Sequence, residues 1–349
     1  MNPAATLVVG PDDDGQRLDA FIAKSLGGPP VEPSAPAGPP AGVAPVTRSQ
    51  AQRLIRGGRV TVDGKAATRP SERVRPGQRL VVARPPQQTT TARPERIPLD
   101  VVYEDHQLIV VNKQRGLVVH PAPGHPTGTL VNALLYACPE LQGDPDPLRP
   151  GIVHRLDRDT TGLLVAAKDP VTREGLSRLI QDRRLQRTYV ALVHGAMGKP
   201  AGRIEGNIGR SPRDRKRMAV LAEGGRPALT LWRRLASYPG LDLLEVKLHT
   251  GRTHQIRVHL AHAGHPVAWD PVYGRRRRSR PPAVLAGLGE IEGQALHAWK
   301  LAFDHPRTGQ PLSLTAPLPT DFAAVLARLC AAAGQRPPAG LLADEPDSC

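Results

Sequence analysis

The stretch "GIVHRLDRDTTGLLVAAK", Gly151 to Lys168, carries most of the information in this chain. His154, Arg155, Asp157, Arg158 and Asp159 fall within six positions, and Thr160-Thr161-Gly162 follows. On either side, Ile152-Val153 and Leu163 to Ala167 read as buried strand. Burying a charge costs several kcal/mol per ion unless it is paired. The run is therefore either a structural ion network or a working site. Asp159-Thr160-Thr161-Gly162 reads as a turn.

Working outward, the chain is 349 residues long, enough for about two domains. Lys and Arg number 47 against 32 Asp and Glu, a formal charge of +15. Such a surplus favours a polyanionic partner, above all nucleic acid. The three cysteines, Cys138, Cys330 and Cys349, form no CxxC pair. Neither a zinc ribbon nor a disulfide framework is indicated. The start, "MNPAATLVVGPDDDGQRL", has acids where a signal peptide needs a basic flank. No apolar run reaches the ~20 residues that span a bilayer. A soluble cytoplasmic protein with no membrane association is expected.

The segment from 15 to 84 has its own logic, after an N-terminus of 1–14 expected to be disordered. "GQRLDAFIAKSL" carries Leu18, Phe21, Ile22 and Leu26 at helical spacing. In "VTRSQAQRLIRGGRVTVDGK", Thr47 is a helix cap and Gly57-Gly58 a stop. Arg59 to Val62 alternates like a strand, and Asp63-Gly64 is a preferred two-residue hairpin turn. Arg48, Arg53, Arg56, Arg59 and Lys65 would give this small α+β unit a basic face. A Pro/Ala/Gly-rich insertion at 29–45 should loop out, and 85–98 reads as a linker.

The larger domain is expected over 99–330, followed by a disordered tail at 331–349. Its strands outnumber its helices, so a mainly antiparallel mixed sheet with flanking helices is expected, an α+β fold. "DPVTREGLSRLIQDRR" opens with Asp169 as cap and Pro170 at the first helical position. "THQIRVHLAHAG" reads as a helix capped by Thr253 and ended by Gly264.

Two chemistries are set against the residues. Asp157 and Asp159 on one strand would lie roughly 6.5–7 Å apart, a spacing compatible with a two-carboxylate glycosidase. The turn breaks that alternation, and aromatics at 3% are a thin supply for stacking sugars. His254, His259, His262 and His265 suggest a metal, but no acid sits among them. Two further basic stretches, 209–221 and 274–282, fit phosphate contacts.

With these residues in hand, Gly151–Lys168 resembles the signature of the RluA-type pseudouridine synthases. "VVYEDHQLIVVNKQRGLVVHPAPGHPTGTLVNALL", "RTYVALVHG", "TGRTHQIRVHLAHAGHPVAWDPVYG" and "QALHAWKLAFDHPRTGQPLSLTAPLP" resemble its other segments, in the family's order. Residues 15–84 resemble the S4 RNA-binding domain that most members carry. The sub-pattern is most similar to the RluD type, which modifies a stem-loop of 23S large-subunit rRNA. The resemblance implies catalysis by Asp157, with Tyr189 as the active-site tyrosine and Arg257 as the basic partner of the carboxylate. It also implies RNA or base contacts from Arg155, His154, Arg252 and His254, and from Arg48, Arg53, Arg56 and Lys65 of the S4 domain. Ribosomal RNA, free or in the nascent subunit, would be the partner of a monomeric enzyme needing no metal or other cofactor. A catalytically inactive S4-type assembly protein, or a synthase acting on other rRNA or tRNA uridines, are the alternatives. The chain departs from the family pattern at Gln114-Arg115-Gly116, where "PAG" is usual, and at Trp269, where glycine is usual.

Overall fold

The computed structural model describes residues 4–27, 46, 48–83, 92–122, 124–143, 146, 148–214, 217–274 and 290–342. The insertion at 29–45, Thr47, most of the basic stretch 274–282, and the Arg53 side chain lie outside the described residues. The chain divides into two compact units, 1–89 and 90–349.

The N-terminal unit contains β1 (Ala4–Val8), α1 (Leu18–Gly27), α2 (Arg48–Arg56), β2 (Val60–Val62), β3 (Lys65–Ala66) and β4 (Arg79–Ala83). The strands form a sheet in the order β1-β4-β2-β3. Leu18, Phe21, Ile22 and Leu26 are buried together with Ala51, Ile55, Val60, Leu80 and Val82. The turn from β2 to β3 has Asp63 at φ 49° and Gly64 at φ 79°, the two left-handed positions of the tightest hairpins. The expectation of a disordered 1–14 is corrected for residues 4–14. Ala4–Val8 pairs antiparallel with Arg79–Ala83, which satisfies backbone groups that a free terminus would leave to water.

The C-terminal unit is built on a mixed sheet of ten strands among the described residues. They are β5 (Val101–Glu104), β6 (Leu108–Lys113), β7 (Thr161–Ala167), β8 (Gln186–His194), β9 (Ala201–Arg210), β10 (Met218–Leu221), β11 (Arg226–Tyr238), β12 (Leu241–Leu248), β13 (Leu296–Asp304) and β14 (Pro311–Thr315). Their order is β10-β9-β11-β12-β8-β13-β7-β6-β5, and β14 also pairs with β13. Only the β13–β7 pairing is parallel among these. The flanking helices are α3 (Leu130–Ala137), α4 (Pro170–Gln181), α5 (Gln255–His262) and α6 (Thr320–Ala333). All seven residues of β7 are buried, as a strand covered on both faces requires. Its Gly162 has φ +104°, and a Cβ there would meet Ala298 O at 2.3 Å, so only glycine fits between β7 and β13. The α4 start is as read: Asp169 accepts from Thr172 N, with Pro170 in the first turn.

Three expectations are corrected here. The cap of α5 is His254, in left-handed conformation, rather than Thr253. Gln255 closes that start instead, its Oε1 accepting from Arg252 N and Thr250 Oγ1. The stretch 92–98 is no free linker: Glu95 N donates to Asn132 O, and Asn132 Nδ2 donates to Arg93 O. The tail is ordered to 342, because Leu341 is buried in the main core and Trp299 Nε1 donates to Gly340 O. No helix among the described residues is long and apolar enough to cross a membrane.

Candidate active site

Asp157 sits in the loop that leads from the Ile152–Ala166 bridge into β7. Thr160 N donates to Asp157 O at 3.1 Å, so the turn spans 157–160 and holds Asp159, two residues earlier than the 159–162 expected, and Thr161 and Gly162 already belong to β7. Three side chains hold this turn from inside the protein. Lys113 Nζ, wholly buried, donates to Arg158 O at 2.8 Å and to the carbonyls of Leu117 and Gln114. Arg115 Nη1 donates to Asp159 O at 2.9 Å and Gln294 O at 3.2 Å, while Nη2 pairs with Asp321 at 3.1 Å. Gln294 Nε2 donates to Thr160 Oγ1 at 2.9 Å. Burial brings the Lys113 pKa down to about 7, against the opposing pull of Asp159 and Asp157.

The carboxylate so placed meets α5. Arg257 Nη1 donates to Asp157 Oδ2 at 2.9 Å. The other edge of the same guanidinium is gripped by Asp270, with Nε to Oδ2 at 2.7 Å and Nη2 to Oδ1 at 2.9 Å. Asp270 is fully buried and also accepts from Val272 N and Tyr273 N. Burial works against the charge on Arg257, yet Asp270 and Asp157 hold its pKa above the ordinary arginine value. Asp270 stays below the usual carboxylate range despite burial, because Arg257 and the two backbone amides stabilise its anion. Arg257 is thus fixed on both edges, and Asp157 is presented in one orientation.

Tyr189 lies on β8, opposite Ala298 of β13 and Val246 of β12, and is 4% exposed. Burial raises its pKa, with Arg187 opposing, so the phenol is neutral near pH 7. It lines the same cleft as Asp157, together with Arg155, Leu248, Arg252, His254 and Arg257. His254 Nε2 lies 3.9 Å from Asp157 Oδ1, and its Nδ1 is 2.9 Å from Tyr273 Oη. Burial lowers the His254 pKa, Asp157 opposes and Arg257 reinforces the fall. A fixed carboxylate beside a buried neutral phenol can act as a nucleophile or stabilise an adjacent positive centre.

The remaining expected contacts divide. Arg155 is exposed at the cleft, and Arg252 is half-buried with Nε donating to Pro227 O. His154, expected to contact RNA or the base, is buried: its Nε2 accepts from Val165 N at 3.2 Å, and burial depresses its pKa to about 3. His259 is likewise internal, hydrogen-bonded to Thr230 and pushed down to about 4 by burial. No cluster of three or more metal-ligating groups occurs among the described residues. In the N-terminal unit Arg56 and Lys65 are exposed, whereas Arg48 pairs with the buried Asp19 at 3.2 Å. Trp269 adopts φ +56°, in the left-handed region that glycine enters at least cost.

Sequence reasoning missed Asp270, Lys113 and Arg115. The signal was available for Asp270: a lone acid inside the apolar "VAWDPVY" demands a partner, as Asp157 did.

Comparison with known proteins shows what the chain is similar to. The profile of the RNA pseudouridylate synthase family matches residues 107–262, and that of the S4 domain matches 45–80. An uncharacterised RNA pseudouridine synthase of Bacillus subtilis is 42% identical over 81% of this chain and 89% of its own length. The ribosomal large subunit pseudouridine synthase D of Neisseria meningitidis serogroup B is 42% identical over 92% of this chain and 80% of its own. Among solved structures, human RNA pseudouridylate synthase domain containing 4 superposes with a TM-score of 0.53 at 26% identity, covering 66% of this chain and 92% of that one.

Proposed function

Since the chain belongs to the RluA-type RNA pseudouridine synthases and carries an S4 domain, we propose that it isomerises uridines in a stem-loop of large-subunit rRNA, with Asp157 as the catalytic group. The observation that carries the assignment is the Asp157–Arg257 pair at 2.9 Å in a cleft walled by Tyr189. The relatives named as ribosomal large subunit synthases support the choice of rRNA.

In the reaction the uracil leaves C1′, turns, and returns through C5, from which a proton is then lost. The target nucleotide is flipped out of its stack to reach the cleft. Asp157 either attacks C1′ or stabilises the positive charge there while a proton leaves C2′. Arg257, locked by Asp270, holds the carboxylate at that carbon. Tyr189 stacks on the uracil and serves in the proton transfer from C5. Arg155, Arg252 and His254 contact the nucleotide, and Arg56 and Lys65 of the S4 domain contact flanking RNA. Free rRNA or the nascent subunit, in the cytoplasm, is the substrate of a monomeric enzyme.

Tritium release from C5-labelled uridine in an rRNA stem-loop tests this reading. Wild-type protein should release tritium, and Asp157→Asn should release none. Release from Asp157→Asn at a tenth of the wild-type rate or more would remove Asp157 from the mechanism. Absence of release by the wild type, with RNA still bound, would leave a binding protein.

A further inference from the structure

Beside Asp157 the cleft widens into a lobe of about 350 Å³, lined by His120, Arg149, His154, Arg155, Arg187 and Arg252 among others. Three nitrogens of this lining are buried without a hydrogen-bond partner: His120 Nδ1, His154 Nδ1 and Arg187 Nε. The His154 tautomer follows from its contact. Val165 N donates to Nε2, so the proton of the neutral ring is on Nδ1. The lobe therefore holds two unused buried donors, from His154 and Arg187.

Arg187 is the more telling of them. It is 7% exposed, and no carboxylate pairs with it among the described residues. Its position on β8, two residues before Tyr189 on the same face, sets it beside the base-stacking ring. An uncompensated buried guanidinium is costly, and unsatisfied buried donors are rare in native proteins. Arg149 already pairs with Asp146, whereas Arg155 and Arg252 have no carboxylate partner among the described residues. Among the described residues the only acid lining the lobe is Asp157, which Arg257 holds. Uracil supplies lone pairs but no charge. A phosphodiester supplies both, and guanidinium groups match its geometry.

We propose that this lobe is a phosphate-binding subsite, in which Arg187 and His154 grip a backbone phosphodiester next to the target uridine. The proposal rests on the reading of the cleft as an RNA uridine site and deepens it. Seating that phosphate outside the stack draws the nucleotide out of the helix and delivers C1′ to Asp157. The phosphate is the one either 5′ or 3′ of the uridine.

The test uses stem-loop RNAs with one neutral methylphosphonate, placed 5′ of the target, 3′ of it, or three nucleotides away. With wild-type protein, one of the two adjacent substitutions should lower kcat/KM at least tenfold, which identifies the phosphate. The distant one should change it less than twofold. In Arg187→Gln, kcat/KM on all-phosphate RNA should fall by a similar factor, and the sensitive methylphosphonate should cost less than twofold more. Arg187→Lys should recover part of the loss. If both adjacent methylphosphonates stay within twofold of the phosphate RNA, the subsite is refuted while the synthase reading stands. The wild-type series decides even if Arg187→Gln does not fold. Fluorescence anisotropy with Asp157→Asn repeats the comparison for binding alone. Discrimination there without turnover by the wild type would refute the synthase reading and keep the subsite.

Discussion

Two acids flank Arg257, and replacing each by its amide should separate stability from chemistry. The Asp270 carboxylate is fully buried and accepts four hydrogen bonds, two from Arg257 and two from the amides of Val272 and Tyr273. An asparagine there has one oxygen, and its NH2 would face donors on whichever side it pointed. Breaking a buried pair from one side costs about 3–5 kcal/mol, because the partner charge is left without compensation. At about 2–4 °C per kcal/mol for a unit of this size, Asp270→Asn should lower the melting temperature by roughly 6–20 °C. Asp157 is different. It is 15% exposed and takes one bond from Arg257, which an amide oxygen can still accept. Asp157→Asn should cost about 1 kcal/mol or less, a shift under about 4 °C. It should nevertheless abolish tritium release and leave RNA affinity within about threefold, since no phosphate contact changes. Scanning calorimetry of the transition of the 90–349 unit, beside the release assay, checks both arms. A fall of less than 2 °C for Asp270→Asn, or a larger fall for Asp157→Asn, would refute the picture of Arg257 locked from behind.

Acid should weaken the fold before the carboxylates titrate. His154, His259 and His297 are held neutral by burial, with pKa values near 3, 4 and 4 against an ordinary 6.5. The unfolded chain binds more protons in this window, so stability is full above pH 6.5 and falls toward pH 4, by up to about 1.4 kcal/mol per pH unit for each histidine. Urea midpoints that do not change between pH 7 and 5 would contradict this. Arg115→Ala should lower kcat about 10–100-fold with KM within about threefold, because Asp159 O and Gln294 O lose their donor and the Asp157 turn loosens; an unchanged kcat would show that the turn holds its own shape. Removing residues 1–89 should leave a folded, active unit that binds rRNA more weakly, whereas removing 1–96 should cost a further ~1–2 kcal/mol, since Asn132 Nδ2 loses Arg93 O and Asn132 O loses Glu95 N. Equal melting temperatures for the two truncations would show that 92–96 contributes nothing.

The sequence by itself determined what is local. The Asp63-Gly64 hairpin and the Asp169-Pro170 helix start follow from residues within a few positions of each other, and each is formed as read. A turn beside Asp157 was legible too, but it closes at 157–160 rather than 159–162. The motif residues Asp157, Tyr189 and Arg257 were legible because they lie in stretches whose order is specific to one family. Only the tertiary structure decided how distant residues complete one another. It put Arg257 against Asp157 across 100 positions, backed it with Asp270, and buried His154 with its Nε2 accepting from Val165 N. It also made a strand of Ala4–Val8 and buried Leu341, where composition suggested disorder. The physical reason is the same in each case. Turn and cap preferences act through the nearest few peptide groups, whereas burial and charge pairing depend on which parts of the sheet come together, and no single stretch contains that information.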